Sequence, residues 1–176
     1  HNFQNLLATY ACFFVLKKSN DSFTKTVYKL RNLEHRMEFV NKFKNISIYN
    51  DSKATNINSS NNALKTLSNI YWILGGRKKK EGIEDVGIGL KNVRNAYTFG
   101  ESKEEYNNFL KEKNINSKEY STLKRAVYTA IKDGLTEKKE INLLFSPASS
   151  SFDQFKNFEH RGKTFKSLIN KILKNE

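Results

Sequence analysis

Ile141-Asn-Leu-Leu-Phe-Ser-Pro-Ala-Ser-Ser-Ser-Phe-Asp-Gln-Phe-Lys-Asn-Phe-Glu-His-Arg-Gly162 decides the fold. Its first five residues form a short apolar strand candidate, the next six are small or hydroxyl-bearing, and the remainder opens a long helix. In that helix Phe155, Phe158, Phe165, Leu168, Ile169, Ile172 and Leu173 recur at helical spacing and read as core. A strand, a loop of small residues and a helix start together hold an anion well: backbone N–H groups and the positive helix end converge, and hydroxyls add donors. Ser151 stands at the expected join of loop and helix, where the plainer reading is that Ser151 and Asp153 simply cap it.

Upstream, strand and helix patterns alternate. Apolar helical spacing runs through residues 2–16 and 23–33, and short strands are expected at 37–43 and 46–49 around Lys44-Asn45. A helix (59–67), a strand (70–74), a glycine-rich irregular stretch (82–90), a strand (96–99) and helices at 103–113 and 123–131 follow. Such alternation implies an α/β fold, a mainly parallel sheet of Rossmann-like type with helices on both faces. Ligands of these sheets sit at the carboxyl ends of the strands. The polar segments fall there: Asn50-Asp-Ser-Lys-Ala-Thr-Asn56, Gly75-Gly-Arg-Lys-Lys79, Gly100-Glu-Ser102 and Ser146 to Ser151.

The 176 residues allow one sizeable core and a piece of a second domain. A 38% hydrophobic and 12% aromatic content suits a folded protein, and no apolar run reaches the roughly 18 residues of a membrane helix. The chain starts at His1 without a leader pattern, so a fragment or processed product is expected. Cys12, the only cysteine, reads as a buried thiol on an apolar helix, and it excludes an internal disulfide. No histidine or cysteine lies at metal-ligand spacing. The net charge of +13 points to anionic partners, but the lysines are spread along the chain rather than gathered in a stripe, which argues against nucleic acid.

At the polar edge Lys53, Arg77, Lys78 and Lys79 supply positive charge, Asp51 suits a ribose diol and Ser149 to Ser151 supply donors. Neither GxGxxG nor GxxxxGK[ST] occurs, so the chain has no phosphate cradle of its own. The arrangement reads as half of a site. Arg36 has the plainer reading of a surface ion pair with Glu34 or Glu38.

In order, His1-Asn-x-x-Asn5, His35-Arg-Met-Glu38, Asn50-Asp-Ser-Lys-Ala-Thr-Asn56, Leu74-Gly-Gly76 with Lys79, and the Ser146 to Gly162 segment resemble the C-terminal part of the Mur ligase family. The likeness covers nearly the whole chain, and Asp153-Gln-Phe-Lys-Asn-Phe-Glu-x-Arg-Gly162 is particular to members that add D-glutamate. The resemblance implies an ATP- and Mg2+-dependent amide ligase acting on UDP-MurNAc-L-alanine, with the metal ligands and phosphate loop outside this chain. Residues 1–20 would be the last helix of the central ATP-binding domain and 21–176 the D-glutamate-binding domain. Implied roles are adenine contact for Asn2 and Asn5, ATP phosphates for Arg36, ribose for Asp51 and catalysis for Lys53. Thr55, Lys79, Ser151, Phe152 and Phe158 would bind substrates. The family's Gly-Gly-Asp-Gly-Lys loop reads Gly75-Gly-Arg-Lys-Lys79 here, so Lys78 stands beside Lys79 as the candidate for D-glutamate. A cytoplasmic monomer is expected, bound to neither membrane nor nucleic acid and inactive without the upstream domains. The alternative is a non-catalytic basic α/β module for an anionic partner such as nucleic acid.

Overall fold

The structure, a computed structural model, describes residues 2–29, 33–77 and 82–174, with the side chains of 2–4 outside that description. The chain divides into two compact units, His1–Asn32 and Leu33–Glu176. Residues 21–32, which the sequence reading joined to the second domain, fall in the first unit.

The first unit holds α1 (Asn2–Val15) and α2 (Asn20–Lys29). Phe23 meets Tyr10 and Phe13 edge-to-face at 5.0 and 5.2 Å, and Ser19 Oγ accepts the Ser22 N–H at the start of α2. That start lies three residues before the expected one. Cys12 is exposed, contrary to the buried thiol expected from its apolar neighbours; two short helices offer too little surface to enclose it.

The second unit is a six-stranded sheet in the order β1-β2-β6-β3-β4-β5. Its strands are β1 (Glu38–Phe43), β2 (Ile46–Asn50), β3 (Ile70–Gly75), β4 (Val93–Phe99), β5 (Asn116–Tyr120) and β6 (Ile141–Phe145). β1 and β2 form an antiparallel hairpin about Lys44, whose φ is 51°; every other pairing is parallel. β3, Ile-Tyr-Trp-Ile-Leu-Gly, is buried at all six positions, as a central parallel strand covered on both faces should be.

Helices cover both faces. α5 (Leu123–Leu135) and α6 (Phe158–Leu173) pack Ala126, Val127, Ile131, Phe165 and Ile169 against Ile48, Ile73, Phe99, Leu143 and Phe145. On the other face α3 (Ile57–Leu64), α4 (Lys103–Glu112) and the 3-10 turn Ile83–Asp85 close over Trp72, Leu74, Ala96 and Leu144. The chain leaving β3 thus runs to one face and the chain leaving β6, its neighbour, to the other. In sheets of this kind such divergence marks the carboxyl ends of the two strands as the place where a ligand crevice forms.

Candidate active site

The strand-end loops meet in that crevice, and backbone bonds fix their register. From β2, the Asp51 N–H donates to Phe145 O at 2.7 Å. From β3, Gly75 N–H donates to Pro147 O, and Arg77 and Ser150 exchange both backbone bonds at 3.0 and 2.9 Å. This isolated bridge ties the glycine loop to the serine loop. Gly76 has a φ of 131°, and a Cβ there would collide with Ser150 O, so only glycine fits. From β4, the Ser102 N–H and Oγ both donate to Gly76 O.

Beneath the loops lies a polar layer. Ser146 Oγ sits 2.8 Å from both Asp51 Oδ2 and Ser60 Oγ, and Ser146 O accepts the indole N–H of fully buried Trp72 at 2.7 Å. Asp51 Oδ1 accepts the Met37 N–H at 3.1 Å. Burial pushes the Asp51 carboxyl up to about 6, against the opposing pull of Ser146, the Met37 N–H and the Arg36 charge. Asp51 therefore braces β2 against the loops while keeping lone pairs for a hydroxyl at the edge.

Arg161 is the residue that sequence reasoning missed. Its side chain is fully buried, and among the described residues no carboxylate forms a salt bridge with it, although the Asp153 charge acts on it through space. Nε donates to Ser52 Oγ at 3.1 Å, Nη2 to Ser52 O at 2.8 Å and Nη1 to Ser149 O at 2.9 Å. Ser52 Oγ in turn donates to Phe158 O at 2.8 Å. One side chain of α6 thus clamps the β2 and β6 loops together. Arg161 lay within the quoted motif, but its spacing carries no sign of burial.

The predicted site residues fall as follows. Lys53 is exposed, its ammonium 5.6 Å from the centre of the Phe158 ring, and Thr55 follows, half-buried, its N–H on Lys53 O. Ser151 is 2% exposed, and among the described residues no hydrogen bond engages its hydroxyl. It does not begin the last helix. Residues 151–157 form turns, α6 starts at Phe158, and Asn157 caps it by accepting the His160 N–H. The positive helix end therefore lies at Phe158, beside Lys53, rather than at Ser151. Phe152 is 63% exposed. Arg77 is not a free cation, since Glu101 takes it in a bidentate pair at 2.8 and 2.9 Å. Lys78 and Lys79 lie outside the described residues, as does the Asn2 side chain. Asn5 is exposed on α1 in the first unit, and Arg36 is half-buried near Asp51.

The plainer reading of Arg36, an ion pair with Glu34 or Glu38, is not what the fold shows: Lys166 of α6 takes both carboxylates, at 2.6 and 2.8 Å. Among the described residues Glu34, His35 and Glu38 are the cluster able to converge on a metal ion. They do not fit one. The Lys166 ammonium already neutralises the carboxylates, and Asn50 Nδ2 donates to His35 Nδ1 at 2.8 Å, which puts the ring proton on Nε2.

Known proteins agree with this architecture. A family model described as "Mur ligase, glutamate ligase domain" matches residues 35–146, well over half of the chain. The UDP-N-acetylmuramoylalanine--D-glutamate ligase of Rickettsia conorii is 38% identical over 169 residues, covering 96% of this chain and 34% of its own length. The enzyme of that name from Wolbachia pipientis is 38% identical over 174 residues (99% and 34%), and that from Bartonella henselae 39% over 170 (96% and 36%). The chain thus spans about a third of the length of these curated relatives. Among solved structures, UDP-N-acetylmuramate-alanine ligase MurC from Thermotoga maritima superposes with a TM-score of 0.69 at 14% identity (100% of this chain, 38% of that one). MurF from Acinetobacter baumannii gives 0.66, also at 14% (95% and 37%), and both likenesses speak to the fold. With the strand-end loops, the two-faced sheet and the family match all falling on the same segment, the chain belongs to the Mur ligase family, as its glutamate ligase domain.

Proposed function

We propose that this chain is the C-terminal portion of an ATP-dependent ligase that adds D-glutamate to UDP-MurNAc-L-alanine in peptidoglycan precursor synthesis. In the complete enzyme ATP phosphorylates the L-alanine carboxylate, the D-glutamate amine attacks the acyl phosphate carbon, and the tetrahedral intermediate expels phosphate. Residues 1–32, the first unit, would end the central ATP-binding domain, and residues 33–176 would cover the nucleotide and keep water from the acyl phosphate. Mg2+ would supply charge neutralisation at the phosphates from ligands outside this chain, since the one candidate cluster among the described residues already holds Lys166.

This chain's own residues bind and orient. Lys53, held over Phe158, faces the reacting carboxylate with Thr55 beside it. Ser151, the free N–H groups opening α6 at Phe158, and Lys79 take the D-glutamate carboxylates, with Phe152 as an exposed wall. Arg36 and Asp51 meet the ATP phosphates and ribose, and Asn2 and Asn5 the adenine. The observation that carries the reading is the Ser151 hydroxyl. It has no hydrogen bond among the described residues, yet it is not one of the fully enclosed orphan atoms, which are His35 Nε2, Asn61 Oδ1 and Asp153 Oδ1, so on a residue only 2% exposed its oxygen stays open to the strand-end edge. A hydroxyl left open in this way can donate to a ligand carboxylate, a bond that contributes about 1.5–3 kcal/mol when the partner is charged. No described helix is long and apolar enough to cross a membrane, and the enzyme is proposed to be a cytoplasmic monomer.

The test is phosphate release by the complete enzyme with ATP and UDP-MurNAc-L-alanine. Release should require D-glutamate and fail with L-alanine or a diamino acid. Efficient use of L-alanine would move the chain to another branch of the family. Tight, salt-sensitive duplex binding with no response to D-glutamate would instead favour a nucleic-acid module.

A further inference from the structure

We propose that Lys166 is a positioning residue for Arg36, fastening the turn that aims its guanidinium to the helix that opens the D-glutamate pocket. The proposal rests on the reading above that Arg36 meets the ATP phosphates.

The turn that carries Arg36 is unusual. His35 and Met37 on either side have φ values of 65° and 43°. Non-glycine residues hold the left-handed region only where their surroundings over-determine it. Here four bonds do so. The His35 N–H donates to Glu38 Oε2 at 2.9 Å and the Met37 N–H to Asp51 Oδ1 at 3.1 Å. His35 O accepts the Lys53 N–H, and the Arg36 N–H reaches Leu33 O. Glu38 is central, because its Oε2 also accepts Asn50 Nδ2 at 3.0 Å.

Glu38 can play that part only while its charge is answered. Burial alone would raise its pKa, yet the Lys166 hydrogen bond, the His35 N–H and Asn50 together bring it below the ordinary value. Lys166 is the cation in that set, and it bridges Glu38 Oε1 and Glu34 Oε1 across the mouth of the turn. Its own pKa is raised: burial opposes its charge, but the two carboxylates outweigh burial. Removing the ammonium leaves two carboxylates on either side of the His35 ring, each 3.7 Å from a ring nitrogen, and mutual repulsion spreads the turn.

Lys166 also makes this a link between ligands. It lies five positions beyond Arg161 on α6, whose first residue is Phe158. His35 packs its ring against Gly162, where a Cβ would collide with Nδ1. The helix that presents Phe158 to D-glutamate and the turn that presents Arg36 to ATP therefore move as one body.

The experiment uses the complete ligase and compares wild type with Lys166→Met, Lys166→Arg, Arg36→Gln and the Lys166→Met/Arg36→Gln double variant. Lys166→Met should raise the KM for ATP about 3- to 10-fold, the size expected for a partly screened charge pair acting through a second residue. The KM for D-glutamate should change less than about twofold, because the Asn157 cap and the Arg161 clamp hold the start of α6 without Lys166. Lys166→Arg should restore most of the loss. In the Arg36→Gln background the Lys166 change should add nothing. Additive effects, an equal rise in both KM values, or a fall in melting temperature with unchanged kinetics would overturn the proposal. An unchanged KM for ATP in Arg36→Gln itself would refute the nucleotide reading of Arg36, and the proposal with it. If Lys166→Met does not fold, Lys166→Gln, which removes the charge but keeps a hydrogen-bond donor of similar length, is read by the same criteria.

Discussion

Replacing Arg161 with methionine isolates what its clamp contributes, because methionine fills a similar length of buried space without a donor. Ser52 O and Ser149 O then lose the hydrogen bonds they accept at 2.8 and 2.9 Å, and Ser52 Oγ loses the donor at 3.1 Å. Two buried carbonyls left unpaired cost about 1–3 kcal/mol each. Relief of the buried charge works the other way: burial lowers the Arg161 pKa to about 9 even with the Asp153 charge pulling it up. The net loss should be about 2–4 kcal/mol, since removing one side of a buried charged network leaves the other side unanswered. At about 2–4 °C per kcal/mol for a chain of this size, the melting temperature should fall by about 5–15 °C. Thermal unfolding followed by circular dichroism reads this directly. Arg161→Lys, which keeps the charge but cannot reach all three acceptors, should fall between. Stability equal to or above wild type for Arg161→Met would refute the clamp, as would normal amide protection in the Ser52 and Ser149 loops.

Ser151→Ala in the complete enzyme should weaken D-glutamate use about 10- to 150-fold, the range of a hydrogen bond to a charged group, with little change in the KM for ATP; a lowered melting temperature with an unaltered D-glutamate KM would leave Ser151 structural. Burial raises the Asp51 carboxyl to about 6 from its ordinary 3.8, so the native state binds its proton more tightly. Its penalty on the fold, about 3 kcal/mol at most, is complete above pH 7 and relieved as pH falls toward 4. Asp51→Asn should therefore stabilise relative to wild type more at pH 7.5 than at pH 4.5, roughly the two sides of that window, in urea unfolding; an equal difference at both would contradict the shift. Gly76→Ala should break the exchange between Arg77 and Ser150, seen as faster amide exchange at both residues, at a cost of about 1–3 kcal/mol; unchanged protection would show that the loop tolerates a Cβ.

Much of the fold was legible because central parallel strands are continuous apolar runs. Ile70 to Leu74 and Ile141 to Phe145 announce themselves, and their loops must then share one edge. β5 was not legible: Asn-Ser-Lys-Glu-Tyr is an edge strand with only Ser117 buried, so it carries neither an apolar run nor an alternation. The start of α6 was misplaced because Ser151 and Asp153 are good capping residues, as Asn157 is; which one caps depends on how the loop is held, and Arg161 holds it from within. The resemblance named the residues expected at the edge. It could not say that Arg77 is occupied by Glu101, or that a lysine more than 120 positions away, rather than Arg36, pairs with Glu34 and Glu38. Such pairings come from the folded register and leave no local trace.

Trp72 is the only tryptophan in the chain, and its indole N–H is bonded to Ser146 O directly beneath the serine loop. Its fluorescence is therefore an unlabelled reporter of that loop. Emission should be that of a dry, hydrogen-bonded indole in the folded chain and shift to longer wavelength on unfolding. Any ligand that pulls Ser146 out of register should change intensity without unfolding. Titration in a cuvette can thus follow occupancy of the crevice, with no probe attached and no turnover required.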